Sequence, residues 1–295
     1  MRILANKPQA RAERTLGVIL QAVFSSVPND ERLKETETNA PLLAVRLPGR
    51  TSYGEAWALQ RAVHEQVADG SRPATLLLLE HPRTLTMGRR GGWLNLRSSR
   101  AELIAAGYEL WQVDRGGDVT YHGPGQLVGY PIVNLEAAHT DVIAFVRALE
   151  QASIGVLRGY GVDSQAVPKL TGVWCGERKI TAIGVRVSRW TSMHGFAINL
   201  TTELGDFDHI VPCGLVGKSV TSLTQELARI SRAARVVDLE EVAVSIAERL
   251  ADELGLGLEW ATPQSLPEPS SDLRVELESF RVSGEEPGGG EERVE

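Results

Sequence analysis

The sequence predicts a single domain of the α/β (α+β) class built on a mixed sheet, and three observations carry that reading. Short strand-like apolar runs alternate with helical patterns from residue 41 to about 261. One run, Ala74–Glu80, is almost continuously apolar, as a strand covered on both faces must be. Several strands follow one another too closely for long crossovers, so part of the sheet has to be antiparallel.

Residues 1–40 read as an N-terminal extension, with a helix near Leu16–Val23 and a polar, charged stretch from Asn29 to Ala40. Its basic start and the apolar run Leu16–Leu20 faintly resemble a signal peptide, but Gln21 interrupts the run and no small-residue cleavage pattern follows. No run approaches the ~20 apolar residues that cross a bilayer. A soluble cytoplasmic protein without a membrane partner is expected.

The body then opens with a strand at Leu42–Leu47 and an amphipathic helix at Tyr53–Val67, apolar at Ala56, Leu59, Val63 and Val67. After Ala74–Glu80 come a short helix at Ala101–Ala106 and a strand at Glu109–Val113. Leu127–Leu135 reads as a strand whose Pro131 implies a bulge or an unpaired edge position. A helix follows at Asp141–Gln151, with Asp141 as cap. Lys179–Ser188 and Met193–Leu200 are two strands close together, and Thr221–Arg229 and Leu239–Leu254 are helices, the second entered through Asp238. Residues 262–295 read as a mostly flexible acidic tail rich in Gly, Pro and Glu, with an edge strand at Leu273–Val282.

Charge narrows the class of function. The 295 residues carry −7, of which −6 falls on Glu268–Glu295, so the body is close to neutral. That is no footprint for nucleic acid. Two cysteines in a chain this long imply free thiols rather than a staple. The six histidines make no zinc-ligand spacing, so no metal is expected.

Four segments concentrate glycine and polar side chains beside strands: Glu80–Gly92, Asp114–Gln126, Leu170–Gly184 and Ile210–Leu223. Loops held by strands are where sites are built. Cys213 lies in a Pro-Cys-Gly turn rather than in an apolar run, with Lys218 near and a helix following, which suits a thiolate better than a core thiol. Cys175 sits in a glycine-flanked turn that permits exposure or packing. Lys179 opens an apolar strand, where a desolvated lysine can move protons or hold a thiolate by its charge. His122, in Tyr-His-Gly-Pro-Gly, is a site candidate or a turn stabiliser; His194 can line the same cavity, and His81 reads equally as a satisfied loop residue. Gly217-Lys218-Ser219 fails as a P-loop because Pro212 stands where the pattern needs glycine, and Arg115–Gly125 is no GxGxxG.

At these segments the chain resembles the lipoyl(octanoyl) transferases. The matching text is RGGDVTYHGPGQLVGYPIVNL (Arg115–Leu135), RKITAIGVRVSRWTSMHGFAINL (Arg178–Leu200) and FDHIVPCGLVGKSVTSL (Phe207–Leu223), with weaker agreement at Arg46–Gln60 and Leu79–Gly91. The resemblance spans about Leu43–Leu254. It implies the fold of biotin– and lipoate–protein ligases, with a curved mixed sheet, in a catalytic domain of residues 41–261. It implies transfer of an octanoyl group from acyl carrier protein to a lysine of lipoyl domains of 2-oxoacid dehydrogenases or of glycine-cleavage H protein, by a monomer. The catalytic cysteine falls on Cys213 and the catalytic lysine on Lys179. Substrate-binding positions fall on Arg115, Gly116, Gly117, Tyr121, His122, Gly123, Ala182, Ile183, Gly184, His194, Gly195 and Gly214, with backbone N–H groups near Gly214 facing the oxyanion. No permanently bound cofactor is implied; the 4′-phosphopantetheine arm arrives with the carrier. Val128, Tyr130 and Ile183 are candidates for an acyl-pocket wall, and Arg83, Arg89 and Arg90 for carrier docking. The competing readings are an ATP-dependent lipoate or octanoate–protein ligase and a non-catalytic carrier-docking module.

Overall fold

The computed structural model describes residues 41–284, except 90, 92–94, 212–217 and 232–234. Nine strands form the main sheet: β1 (Leu42–Arg50), β2 (Thr75–Glu80), β6 (Gln126–Ile132), β7 (Gln165–Val167), β8 (Leu170–Cys175), β9 (Arg178–Ser188), β10 (Thr191–Asn199), β11 (Ser219–Val220) and β12 (Leu258–Ala261). Their order is β12-β1-β2-β6-β10-β9-β8-β7, with β11 pairing alongside β9. β1 is parallel to both β12 and β2, whereas β2 through β8 pair antiparallel. The sheet is therefore mixed, as expected. A second, three-stranded sheet joins β4 (Glu109–Gln112), β3 (Thr84–Met87) and β5 (Val119–His122).

Both faces of the main sheet are covered, which is why β2 reads as an apolar run. Leu76 and Leu78 point into the cluster built with α3 (Val142–Gly159) and α5 (Leu239–Leu254); Leu77 and Leu79 point into the one built with α1 (Tyr53–Ala68). Side-chain caps fix the helix starts. Ser52 accepts from Glu55 N at α1, Asp141 from Ile143 N and Ala144 N at α3, and Asp238 from Glu240 N at α5. Ser99 and Glu102 close a reciprocal capping box at α2 (Arg100–Ala105).

Two expectations change. Pro131 lies at neither an edge nor a bulge but inside central strand β6, opposite Leu76. Its ring faces β10, where the ladder ends at Gly129–Phe196, so no amide hydrogen is missed. The Ser192 hydroxyl bridges that gap, donating to Pro131 O and accepting from Val133 N. Gly195 makes room for the ring: a Cβ there would stand 2.5 Å from Pro131 Cδ and 2.2 Å from Gly129 O.

The second change concerns the tail. Residues 271–278 form a helix, α6 (Ser271–Glu278), capped by Ser270, where an edge strand was expected. The short alternation was ambiguous: Leu273 and Leu277 also stand four apart, on one helical face, and both pack with Tyr53, Trp57 and Trp111. Phe280 stacks edge-on against Trp57, and Val282 N donates to Leu110 O. The segment after residue 262 is thus packed as far as Gly284. The Leu16–Val23 helix falls outside the described residues.

Candidate active site

Lys179 occupies the second position of β9, between β8 and β11. It stands opposite Trp174 on one side and Val220 on the other, and its carbonyl accepts from Thr221 N at 2.9 Å. The residue is only 8% exposed, with Nζ 4.8 Å from the centre of the Trp174 ring. It lines a cleft of about 470 Å³ together with Ile183, Gly184 and Val185 of the same strand. The other walls are Gly116–Asp118, Val146 of α3, and Lys169–Thr171 at the start of β8.

The Arg-Gly-Gly loop is fixed from both sides. Arg115 is buried and donates to Thr86 O at 2.7 Å, Thr86 Oγ1 at 2.9 Å and Gly116 O at 3.1 Å, pinning the loop to β3. Gly116 N donates to Val185 O at 3.0 Å, pinning it to β9.

Ile183 and Gly184 also line a smaller hollow of about 40 Å³, shared with Tyr53, Arg115, Thr120, His122, Tyr130, Ala182, His194, Gly195, Phe196 and Ala197. Two buried imidazoles, His122 and His194, line it, and a third, His81, packs against His122 and Tyr130. His81 donates from Nδ1 to Thr51 O at 2.7 Å, so its Nε2 accepts from Tyr130 Oη at 2.7 Å. The Gln126 amide donates to Tyr121 O and Asn199 Oδ1, so its Oε1 accepts from His122 Nδ1 at 2.9 Å, leaving the His122 Nε2 lone pair. His194 donates from Nε2 to Asp114 Oδ1 at 2.8 Å and faces Tyr53 Oη through Nδ1 at 3.5 Å.

Burial holds all three below the ordinary histidine value: His81 down to about 4, His122 well below it, and His194 below it despite Asp114. Neutral rings can sit close, and the His81 and His122 centroids are 5.5 Å apart. Burial works to raise the Asp114 carboxyl, but the hydrogen bond from His194, with the Arg186 and Arg61 charges, outweighs it. Burial, opposed by Arg115, pushes the Tyr53 hydroxyl up.

The larger cleft gathers Lys179, Gly116 and Gly117; the hollow gathers His122, Ala182, His194 and Gly195; Arg115 lines the hollow, and Ile183 and Gly184 line both. Cys213 and Gly214 lie outside the described residues. Tyr121 faces away from both spaces, into the cluster with Leu85 and Phe207, and its hydroxyl donates to Asp206 at 2.5 Å. Gly123 lines neither space. Tyr130 and Ile183 meet the hollow, but Val128 is buried against α1. Of the proposed docking cations, Arg83 is engaged by Asp206 at 3.4 Å and Arg90 lies outside the described residues; Arg89 is exposed. Lys218 pairs with Glu177 at 2.7 Å.

The sequence reading missed Asp114, Tyr53, Trp174 and Lys169. Asp114 had a signal, an acid directly before Arg-Gly-Gly; Tyr53 reads only as a helix residue. Among the described residues no group of His, Cys, Asp or Glu is placed to hold a metal, and no helix is long and apolar enough to cross a membrane. A groove of about 510 Å³ between Pro41, Arg72 and Ala138 shares no lining residue with the cleft.

The sequence matches the lipoyl protein ligase A/B catalytic domain over residues 52–251. It is 52% identical over 179 residues to an octanoyltransferase of Solibacter usitatus, covering 61% of this chain and 81% of that protein. The chain belongs to the octanoyltransferase family. An octanoyltransferase of Rubrobacter xylanophilus is 48% identical over 195 residues, 65% of this chain and 87% of that one. Membership makes the chain an enzyme, an acyltransferase. Its fold is that of lipoate ligases. The bipartite ligase of Thermoplasma acidophilum superposes with a TM-score of 0.62 at 18% identity, over 81% of this chain and 92% of that one. A lipoate–protein ligase A bound with ATP gives 0.61 at 19% identity, over 81% and 93%.

Proposed function

We propose that this octanoyltransferase-family enzyme uses Cys213 as nucleophile and Lys179 as proton carrier. The donor is the octanoyl thioester on the phosphopantetheine arm of acyl carrier protein, and the acceptor a lysine ε-amine of lipoyl domains or glycine-cleavage H protein. The carrying observation is the setting of Lys179: nearly buried, over an indole face, in a cleft walled by a doubly anchored glycine loop. Ser219 and Val220, six and seven positions after Cys213, run beside Arg178 and Lys179 in parallel register.

The Cys213 thiolate adds to the acyl carbonyl. As the tetrahedral adduct collapses, the bond to the carrier sulfur breaks and that sulfur takes a proton from the Lys179 ammonium. The neutral Lys179 then removes a proton from the acceptor ammonium, freeing the lone pair that attacks the acyl-enzyme. A C–N bond forms, the attacking nitrogen gives up its second proton to water, and Cys213 leaves as thiolate, with Lys179 again an ammonium. Thioester to thioester is nearly balanced and thioester to amide runs downhill, so no ATP enters. Val146, Leu170, Ile183 and Val185 offer the acyl chain apolar contact, worth ~0.8 kcal/mol per buried CH₂.

The test is intact mass after mixing the protein with octanoyl carrier protein without ATP. The expected result is a gain of one octanoyl group, lost in Cys213→Ala, kept in Cys175→Ala, and discharged by lipoyl domain. Activity only from free octanoate with Mg-ATP would replace this reading with a ligase.

A further inference from the structure

We propose that Glu150 is a positioning residue for Lys179, an inference that rests on the role assigned to Lys179 above. Glu150 stands in the middle of α3 with no exposed surface, among Leu149, Ala152 and Ser153. A carboxylate in such a place has to be hydrogen-bonded. One oxygen meets Arg147, three residues back on the helix and half exposed. The other accepts from Gly172 N at 3.0 Å.

Gly172 lies directly beneath the lysine. Its φ is +116°, a conformation that side chains rarely adopt. A Cβ at this position would stand 2.4 Å from Thr181 O and 3.5 Å from Lys179 Cε. The β8–β9 ladder is irregular here. Val173 pairs with Thr181 but Trp174 with Lys179, so Ile180 is an extra residue in β9. Such a bulge re-aims the neighbouring side chain, and here Lys179 is laid over Trp174, on the side of its stem that a Gly172 side chain would fill.

A strand interrupted at this point needs another restraint, and Glu150 supplies it from the helix behind. Val146, one turn earlier on the same helix, lines the cleft in front of Lys179. Helix α3 therefore both walls the cleft and, through Glu150, holds the strand that seats the amine. The role requires an acceptor for Gly172 N rather than a negative charge, so glutamine should replace glutamate.

The experiment compares Glu150→Gln, Glu150→Ala, the volume-keeping Glu150→Leu, and Lys179→Ala in the full chain. Octanoyl transfer from carrier to lipoyl domain gives kcat and KM. A brief acetylation pulse, read by peptide mass spectrometry, gives the reactivity of Lys179 relative to Lys169 and Lys218. Glu150→Ala and Glu150→Leu should lower kcat by at least about tenfold with KM for the carrier nearly unchanged, and shift the labelling of Lys179 alone. Glu150→Gln should stay within about threefold of the parent on both readouts. Folded Ala and Leu variants with unchanged kcat and labelling overturn the inference. So does a Gln variant as impaired as Ala, or failure of both Ala and Leu to fold, which would make Glu150 a residue of the core at large. Lys179→Ala with parental kcat defeats the underlying reading instead, whatever Glu150 does.

Discussion

Mild acid should loosen this fold through its histidines before its carboxylates protonate. His81 is fully buried, with both ring nitrogens engaged by Thr51 and Tyr130, and burial holds it down at about 4. In the unfolded chain it returns to the ordinary 6.5. A depressed histidine leaves stability intact above pH 6.5; as pH falls, the unfolded chain binds a proton that the folded one refuses, until about pH 4. For this one residue the loss is about 1.4 kcal/mol at pH 5.5 and about 2.5 kcal/mol at pH 4.5. His122 and His194 act in the same direction. The assay is urea unfolding at half-unit steps from pH 7.5 to 5, with parent and His81→Gln. Between pH 6.5 and 5 the parent should lose stability more steeply, by up to ~1.4 kcal/mol per pH unit. Equal slopes, or a His81 ring resonance titrating near 6.5 in the folded protein, would refute the reasoning.

Other outcomes follow from single contacts. Gly195→Ala drives a methyl into Gly129 O and Pro131 Cδ between two central strands, and because a backbone oxygen cannot swing aside, a loss of about 3 kcal/mol or failure to fold is expected in denaturant titration. Cys175 is 2% exposed and its thiol is pushed up to about 12, first by burial and then by the Glu226 charge. Iodoacetamide at pH 8 should therefore spare Cys175 in the native protein and modify it only on unfolding; native-state alkylation there, seen by peptide mapping, would contradict the packing. Leu277→Ala should cost about 2–4 kcal/mol in unfolding titrations, since it removes the anchor of α6 from between Trp57 and Trp111. Arg178→Lys replaces a two-pronged contact with Glu226, at 2.8 and 2.9 Å, by a single one, and should lower the melting temperature while Arg178→Ala lowers it further.

Where pattern and burial agree, the fold was legible. β2 announced itself because both its faces are covered, α1 because one face is, and the helices after Asp141 and Asp238 because cap residues stand in front of periodic runs. Strands β3 and β5 escaped notice because their four-residue stretches lie inside segments read as loops, and β12 because Leu258–Ala261 is too short to show a period. Their pairing is decided by partners far away in sequence. The site divides similarly. Lys179 and the glycine-rich loops were visible as local anomalies; Lys179, Gly116 and Gly117 line the cleft, while Arg115 lines the smaller hollow. Trp174, Tyr53 and Glu150 were not visible, because an indole in a strand, a tyrosine in a helix and an acid among helix formers look ordinary until tertiary contacts are drawn.

The placement of β1 carries a consequence for how the chain is made. Leu42 and Leu258 are register partners 216 positions apart. At the usual pace of synthesis, on the order of ten to forty seconds separate the emergence of the two. Throughout that interval one side of β1 has unpaired backbone groups, the kind of edge on which nascent chains associate wrongly. Arg46, Pro48 and Arg50 lie just beyond the four residues that β12 covers, and they are residue types that discourage foreign pairing along the rest of β1.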